Sequence, residues 1–370
     1  MARVVLDKVN KIYPSAPEPV HAVKDLSLDV EDGEFVALLG PSGCGKSSTL
    51  RMIVGLEDIS GGTISFDGVP VNDLAPEQRN VAMAFETYAL YPNFTVAQNL
   101  SFPLEVKGID ADTRQRRVME VARLLRIEPI LESRPGQLSG GQQQRVSLGR
   151  ALIRDPAAFI LDEVMSHLDA HLKFQMLFEL KKLHQDIGKT MIYVTHDQME
   201  ALALADRVAV MSNAELQQFG NRDQLYNQPK NTFVADFIGE PPTNFLSGRW
   251  AEGGGDAIAF GADGASQKLV PDARRRQALR ERGLDEVTVG IRPQNLFVHG
   301  RDGADQSIDV VVDIDEYVGE ASILTVKAGG ELFRAVAPPD FTASEGDRIK
   351  LYYRQRDVMI FDTQAGDFIG

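Results

Sequence analysis

Short apolar runs alternate with amphipathic stretches over the first part of the chain. Phe35-Val36-Ala37-Leu38-Leu39 predicts a buried strand over Glu34–Leu39 that stops at Gly40, and Lys46–Val54 reads as a helix. Ala158–Leu161 and Met191–Val194 are two further runs of strand length, each followed by acidic or polar residues and then a helical pattern. Such alternation predicts an α/β core whose strands end at one active edge. Between them, from about Asn93 to Gln137, the pattern turns charged. Val118, Val121, Leu124 and Leu125 fall at helical spacing there, which predicts a mostly helical insertion. Gly239-Glu240-Pro241-Pro242 is a cluster of chain breakers and predicts a boundary, giving domains over 1–238 and 239–370. Beyond it the apolar runs Val287–Ile291, Ile308–Val312, Ile323–Val326, Leu332–Ala335 and Ile349–Tyr353 are separated by Gly, Asp and Pro. They predict a small β-barrel or sandwich.

Composition narrows the function classes. A chain of 370 residues suits about two domains. At 43% hydrophobic and 25% charged it has an ordinary globular composition. A formal net charge of −14 disfavours nucleic acid as a partner. The single cysteine, Cys44, excludes an intrachain disulfide and suits a reducing compartment. The N-terminal Met1–Lys8 lacks a long apolar core and reads as a strand, not a signal peptide. No apolar run approaches the ~18–20 residues that span a bilayer. The chain is expected to be soluble by itself, with any membrane role exerted through a partner.

Three motifs carry chemistry. Gly40-Pro41-Ser42-Gly43-Cys44-Gly45-Lys46-Ser47 matches the P-loop pattern and lies between a strand and a helix. Its glycines let backbone N–H groups approach phosphates, and the helix that follows points its positive end at them. Lys46 is placed to reach the β- and γ-phosphates and Ser47 to offer a hydroxyl to Mg²⁺. Ile160-Leu161-Asp162-Glu163 closes an apolar strand with two acids. Strands often end in acids, so alone this is a weak signal. Beside a P-loop, Asp162 becomes the candidate Mg²⁺ ligand and Glu163 the general base. His196 ends another apolar strand in Tyr193-Val194-Thr195-His196-Asp197 and is the candidate contact to the γ-phosphate.

Leu138-Ser139-Gly140-Gly141-Gln142, followed by Gln143-Gln144-Arg145-Val146, resembles the signature of the ABC ATPases. By its residues alone it is a helix N-terminus whose Ser139 is also a plain helix cap. The resemblance implies more. Ser139, Gly140, Gly141 and Gln142 would contact ATP bound to the opposite subunit, so that ATP joins two chains. Tyr13 would stack on adenine, and Gly40 to Ser48, Ser48 included, would bind the nucleotide. Ser166-His167-Leu168-Asp169 would be the loop through which two sites communicate, with Asp169 central. Phe85-Glu86-Thr87-Tyr88 would be the switch between core and helical subdomain. Val289-Gly290-Ile291-Arg292-Pro293, Asp236-Phe237-Ile238-Gly239 and Asn244-Phe245-Leu246 resemble segments of maltose-type importer ATPases. The implied architecture is an α/β P-loop ATPase core with a helical subdomain, then a C-terminal all-β OB-like accessory domain. The implied cofactors are ATP and Mg²⁺. The implied partners are membrane permease subunits, a second ATPase subunit of the same or homologous chain and, indirectly, a solute-binding protein. The implied place is the cytoplasmic face of the cell membrane, and the implied cargo a sugar, polyol or glycerol derivative.

Some residues depart from the family pattern. Glu86 stands where the family has Gln. It keeps an acceptor for the metal, loses a donor and adds charge, so tuned hydrolysis and a tolerated variant are both open. Val164 replaces a proline after Glu163, and Met165 and His167 also differ, which puts inter-site coupling in question and admits a heterodimer. Two rivals follow: a degenerate regulatory ATPase, and a soluble ABC ATPase outside transport. Intact Lys46, Asp162, Glu163 and His196 oppose the first. The second usually carries two cassettes or a coiled-coil insertion, neither of which occurs here. His167, Asp169 and His171 lie where a loop enters a helix and read poorly as a metal site. Arg274-Arg275-Arg276 with Arg280 and Arg282 reads as a solvated helix. Tyr88, Leu90 and Tyr91 are expected either to receive permease helices or to pack in the core.

Overall fold

The first strand, β1 (Val4–Tyr13), buries Val4, Leu6 and Val9. It pairs antiparallel with β2 (Val20–Val30). The computed structural model describes residues 2–14, 17–84, 88–166, 168–250, 256–261, 267–300, 303–304 and 306–369. Glu86, the rest of the switch segment Phe85–Thr87, and His167 lie outside the described residues.

β3 (Phe35–Leu39) is buried at every position, as a central strand covered on both faces must be. It delivers the chain through Gly40 into α1 (Lys46–Val54), the span that the apolar spacing predicted. β4 (Gly61–Phe66) and β5 (Val69–Pro70) complete a four-stranded antiparallel sheet in the order β2-β1-β4-β5. β6 (Val81–Ala84) starts the edge of a second sheet.

The insertion holds α2 (Val96–Val106) and α3 (Ala111–Leu125), capped by Thr95 and Asp110. α4 (Gly140–Leu152) packs against both. The chain returns to the second sheet with β7 (Ala158–Asp162), crosses over through α5 (Ala170–Ile187) to β8 (Thr190–Thr195), and continues through α6 (Gln198–Leu204) to β9 (Arg207–Ser212) and β10 (Glu215–Gly220). The strand order is β10-β9-β3-β8-β7-β6, with β9, β3, β8, β7 and β6 parallel and β10 antiparallel at the edge. Two apolar clusters flank this sheet, one including Leu100, Val146 and Leu180 and one including Leu28, Leu50 and Ile64.

The chain divides into two compact units, Met1–Arg222 and Asp223–Gly370. The division lies ahead of the Gly239–Pro242 breakers. α7 (Arg222–Asn227) spans it, and α8 (Thr232–Phe237) is tied to the second unit. The Thr232 N–H donates to Gly366 O at 2.9 Å, and Ala235 packs with Met359 and Phe361. The second unit contains β11 (Asn244–Trp250), β12 (Ile258–Phe260), β13 (Gln267–Leu269), α9 (Ala273–Arg282) and β14 (Glu286–Ile291). β15 (Gln306–Tyr317), β16 (Ser322–Ala328), β17 (Glu331–Ala337), β18 (Arg348–Tyr353) and β19 (Val358–Asp362) follow. They form sheets of order β13-β12-β11-β14-β19 and β17-β16-β15-β18 around one apolar core.

Candidate functional site at the strand ends

β3, β8 and β7 are parallel neighbours, so their C-terminal ends lie side by side. Leu39 is in register with Thr195, and Asp162 with Val194. The residues after those ends are Gly40, His196 and Glu163. One sheet edge therefore carries the P-loop and both candidate hydrolytic side chains, where open α/β sheets place their ligands.

The loop leaves no room for side chains at two of its glycines. A Cβ on Gly40 would come within 2.2 Å of Met211 O, and one on Gly45 within 2.2 Å of Ala22 O. Gly45 also has φ +101°, a conformation that glycine adopts without penalty. Pro41, Ser42, Gly43 and Ser47 are exposed, so the bare backbone faces outward before α1. Lys46 is only 5% exposed, and its ammonium donates to Gly40 O at 2.7 Å and Pro41 O at 3.0 Å. Cys44 is buried beside it, and burial pushes its thiol pKa up, consistent with a space-filling role.

Glu163 Oε2 stands 3.4 Å from His196 Nδ1. The Glu163 backbone is held at φ 44°, a strained conformation for a side-chain-bearing residue. Two hydrogen bonds hold it there: its N–H donates to Val194 O at 3.0 Å, and its C=O accepts from Ser166 N–H at 3.1 Å. Asp162 ends β7, half-buried, one residue before it. Cationic, hydroxyl, carboxylate and imidazole groups thus share one edge, the functional set that phosphoryl transfer to water requires.

Beneath His196 lies a charged cluster that sequence reading missed. Lys173 on α5 contacts Asp197 Oδ2 at 2.9 Å and Glu200 Oε1 at 2.8 Å. Glu200 is 2% exposed and also accepts from Tyr193 Oη and from Thr195 Oγ1, the latter at 2.6 Å. Asp197 caps α6 through the N–H groups of Met199 and Glu200. The signal in the sequence was a glutamate, Glu200, on an otherwise apolar helix face of Met199–Leu204. Its partner lies 27 positions away, beyond any local pattern.

The signature residues lie in different surroundings. Ser139 is exposed and caps α4. Its Oγ accepts from Gln142 N–H at 3.4 Å, while Gln142 Oε1 accepts from Ser139 N–H at 2.9 Å. A Cβ on Gly140 would meet Tyr88 Oη at 3.7 Å and Leu168 Cδ2 at 3.9 Å, and one on Gly141 would meet Leu172 Cδ2 at 3.8 Å. Within this unit the signature therefore faces the Tyr88 segment and the Asp169 loop. Asp169 caps α5, accepting from Leu172 N–H at 3.0 Å. Val164, in place of the family's proline, is buried, and its carbonyl accepts from the buried amide of Gln144 on α4. Tyr13, half-buried at the end of β1, hydrogen-bonds Ser48 Oγ at 2.9 Å and donates to Glu57. Burial, reinforced by Glu57, raises the Tyr13 pKa.

A cleft of about 540 Å³ is lined by Leu56, Tyr91, Phe102, Val106, Arg150 and Arg154, among others. Tyr91 is 42% exposed there, whereas Leu90 packs on the core. Core packing therefore holds for Leu90, while Tyr91 stays at the surface. Ser147 donates to Tyr88 O at 2.9 Å and Arg150 to Ala89 O at 2.6 Å, so α4 anchors the segment from behind.

Fold and site together define a P-loop ATPase core with a helical subdomain, joined to an OB-like β accessory domain. Residues 23–166 match the ABC transporter family, and residues 289–361 match the TOBE domain. The chain is 42% identical to the sulfoquinovosyl glycerol transport ATP-binding protein of Agrobacterium fabrum, covering 98% of each. It is 43% identical to the trehalose/maltose import ATP-binding protein of Thermococcus litoralis, covering 100% of each. A solved dimeric structure of an ATP-binding cassette in a post-hydrolysis state, bound to ADP and Pi, aligns with TM-score 0.54 at 32% identity. It covers 59% of this chain and 98% of that one. The chain belongs to the ATP-binding subunits of ABC transporters. No helix among the described residues is long and apolar enough to cross a membrane.

Proposed function

We propose that this chain hydrolyses ATP at the cytoplasmic face of the cell membrane to drive an importer of a sugar, polyol or glycerol derivative. The observation that carries the mechanism is the placement of the P-loop, Glu163 and His196 on adjoining parallel strand ends, with Glu163 Oε2 3.4 Å from His196 Nδ1. The relatives that transport or import sulfoquinovosyl glycerol, trehalose/maltose and sn-glycerol-3-phosphate support the cargo class.

In this mechanism Gly40 to Ser48 cradle the polyphosphate of ATP, Lys46 engages the β- and γ-phosphates, and Tyr13 stacks on adenine. Tyr13 suits that role because its hydroxyl is already anchored to Ser48 and Glu57 at one end. The Ser47 hydroxyl and the Asp162 carboxylate would hold Mg²⁺, with Glu86 a further candidate, and the ion would neutralise phosphate charge. Glu163 takes the proton of the attacking water, and His196 contacts the γ-phosphate. Ser139 to Gln142 complete the site of the opposite subunit, since helix-N-terminal amides suit an anion and Ser139 and Gly140 at that terminus are exposed. Asp169 lies in the loop between the two composite sites. The 540 Å³ cleft beside Tyr91 receives an apolar segment of a permease subunit. A solute-binding protein acts on the far side of that permease.

Glu163→Gln tests this reading, because it keeps the shape of the side chain and removes the base. Mg-ATP should bind normally and leave a persistent closed dimer in light scattering, while steady-state phosphate release collapses. Wild-type turnover in that variant would remove Glu163 from the mechanism.

A further inference from the structure

The second unit contains a cavity of 430 Å³, within the range of about 300–1,000 Å³ typical of small-molecule sites. Its lining is unusual for a chain of formal net charge −14. Arg274, Arg275, Arg292 and Arg356 face it, against two carboxylates, Asp272 and Asp357.

The two inner arginines are fixed. Arg292 is 2% exposed, and its guanidinium lies 3.8 Å over the ring of Tyr226. Its donors reach the carbonyls of Tyr226, Ala235 and Ile238 and the hydroxyl of Thr243. These partners are all neutral. Burial accordingly pushes its pKa down to about 10. Arg275, with a side chain 12% exposed, is clamped by Asp272, the cap of α9. The buried Arg292 charge, held by neutral acceptors, favours an anion nearby. The two outer arginines are open to solvent. Arg356 is 71% exposed, with the nearest Asp357 oxygen 3.9 Å from its Nε, and Arg274 is exposed on the first turn of α9.

The other lining groups suit hydroxyls. Asp357 Oδ2 is buried and has no hydrogen-bond partner. An acceptor in that state gains most from a ligand donor. Asn227 and Asn295 add neutral amides, and Met359 and Phe368 add an apolar wall.

We propose that this cavity binds a phosphorylated sugar or polyol. Arg274 and Arg356 close on the phosphate in the positive field of Arg292 and Arg275, and Asp357 Oδ2 accepts from a ligand hydroxyl. Guanidinium forks match phosphate oxygens bidentately, which makes the anionic end the principal source of affinity. The lining residues all belong to the second unit, and the proposal does not depend on the transport reading.

Calorimetric titration of the full chain, saturated with Mg-ADP to occupy the P-loop, tests this. The probes are glucose 6-phosphate and glycerol 3-phosphate, with glucose, glycerol and inorganic phosphate as controls. At least one phosphorylated probe should bind one per chain and more tightly than its dephosphorylated form and than inorganic phosphate. Arg274→Gln with Arg356→Gln should weaken that binding by about tenfold or more. Both side chains are exposed, so the thermal melt should be unchanged and a folding defect would be visible. Asp357→Asn provides a second variant and should narrow the advantage of the phosphorylated probe over inorganic phosphate. Failure of both phosphorylated probes to bind at millimolar concentration would overturn the proposal. So would undiminished binding in the double arginine variant, or equal affinity for inorganic phosphate.

Discussion

Replacing Lys173 with Met removes the only ammonium among the described residues that bridges the helix after Asp169 to the strand end bearing His196. Lys173 sits 2.9 Å from Asp197 Oδ2 and 2.8 Å from Glu200 Oε1. Removing one partner of a buried pair costs about 3–5 kcal/mol. The Lys173 side chain keeps 19% exposure, and Glu200 retains the hydroxyls of Tyr193 and Thr195, which reduces the penalty. We expect a loss of about 2–3 kcal/mol. In a unit of this size that lowers Tm by about 4–12 °C.

Turnover should fall further than stability implies. Asp197 caps α6 directly after His196, so releasing its cation shifts the imidazole relative to Glu163. A displacement of that kind costs about 10- to 100-fold in kcat. Nucleotide affinity should change little, because Lys173 is remote from the P-loop in sequence and bonding, and Lys173→Arg should restore much of the rate. The pH dependence is also signed. Burial would raise the Asp197 pKa, but hydrogen bonds from Lys173 and from backbone N–H groups outweigh it and hold it below the ordinary value. Its contribution is therefore present above the unfolded pKa and lost as pH falls through the lower folded value. Burial opposes the Lys173 charge, but Glu200 and Asp197 outweigh it and raise the pKa. That contribution is present below the unfolded pKa and lost as pH rises through the higher folded value. The difference in Tm between wild type and Lys173→Met should be flat around neutrality and shrink at both extremes. Thermal melts across pH, with kcat and KM measured in parallel, provide the check. An unchanged Tm together with an unchanged kcat would refute the reasoning.

Two further outcomes are expected. In a mixed dimer, with Lys46→Ala in one chain and Ser139→Ala in the other, both lesions should fall on one composite site. The second site then keeps full nucleotide occupancy, and two equally impaired sites would reject action across the interface. Arg79, 5% exposed, donates to Leu74 O, Met52 O, Ile53 O and Asn72 O at 2.7–3.1 Å, so it holds the C-terminal end of α1. Arg79→Leu should cost about 3 kcal/mol by removing those four hydrogen bonds from the carbonyls. A melt lowered by less than about 2 °C would count against that role.

Local order was legible in the sequence wherever the physics is local. The P-loop glycines, the five buried residues of β3 and the span of α1 follow from steric freedom, apolar run length and helical spacing over a few residues. The five later apolar runs likewise fall within β14 to β18. β11 to β13 escaped because Gly, Ser and Gln interrupt their alternation, and tertiary pairing rather than propensity holds them. Sheet order was not legible either. The β7–β8 pairing brings Glu163 to His196, and β3 lying between β9 and β8 brings the P-loop beside them, through pairings that join residues more than 150 positions apart. The Lys173–Glu200 cluster and the Arg292 cavity have the same character. Charges enter the interior only where several distant segments supply partners together, and no single segment records that. The sequence by itself therefore determined which chemical groups exist and on which local elements they sit. The tertiary structure decided which of them meet, because long-range pairing and burial are properties of the assembled sheets.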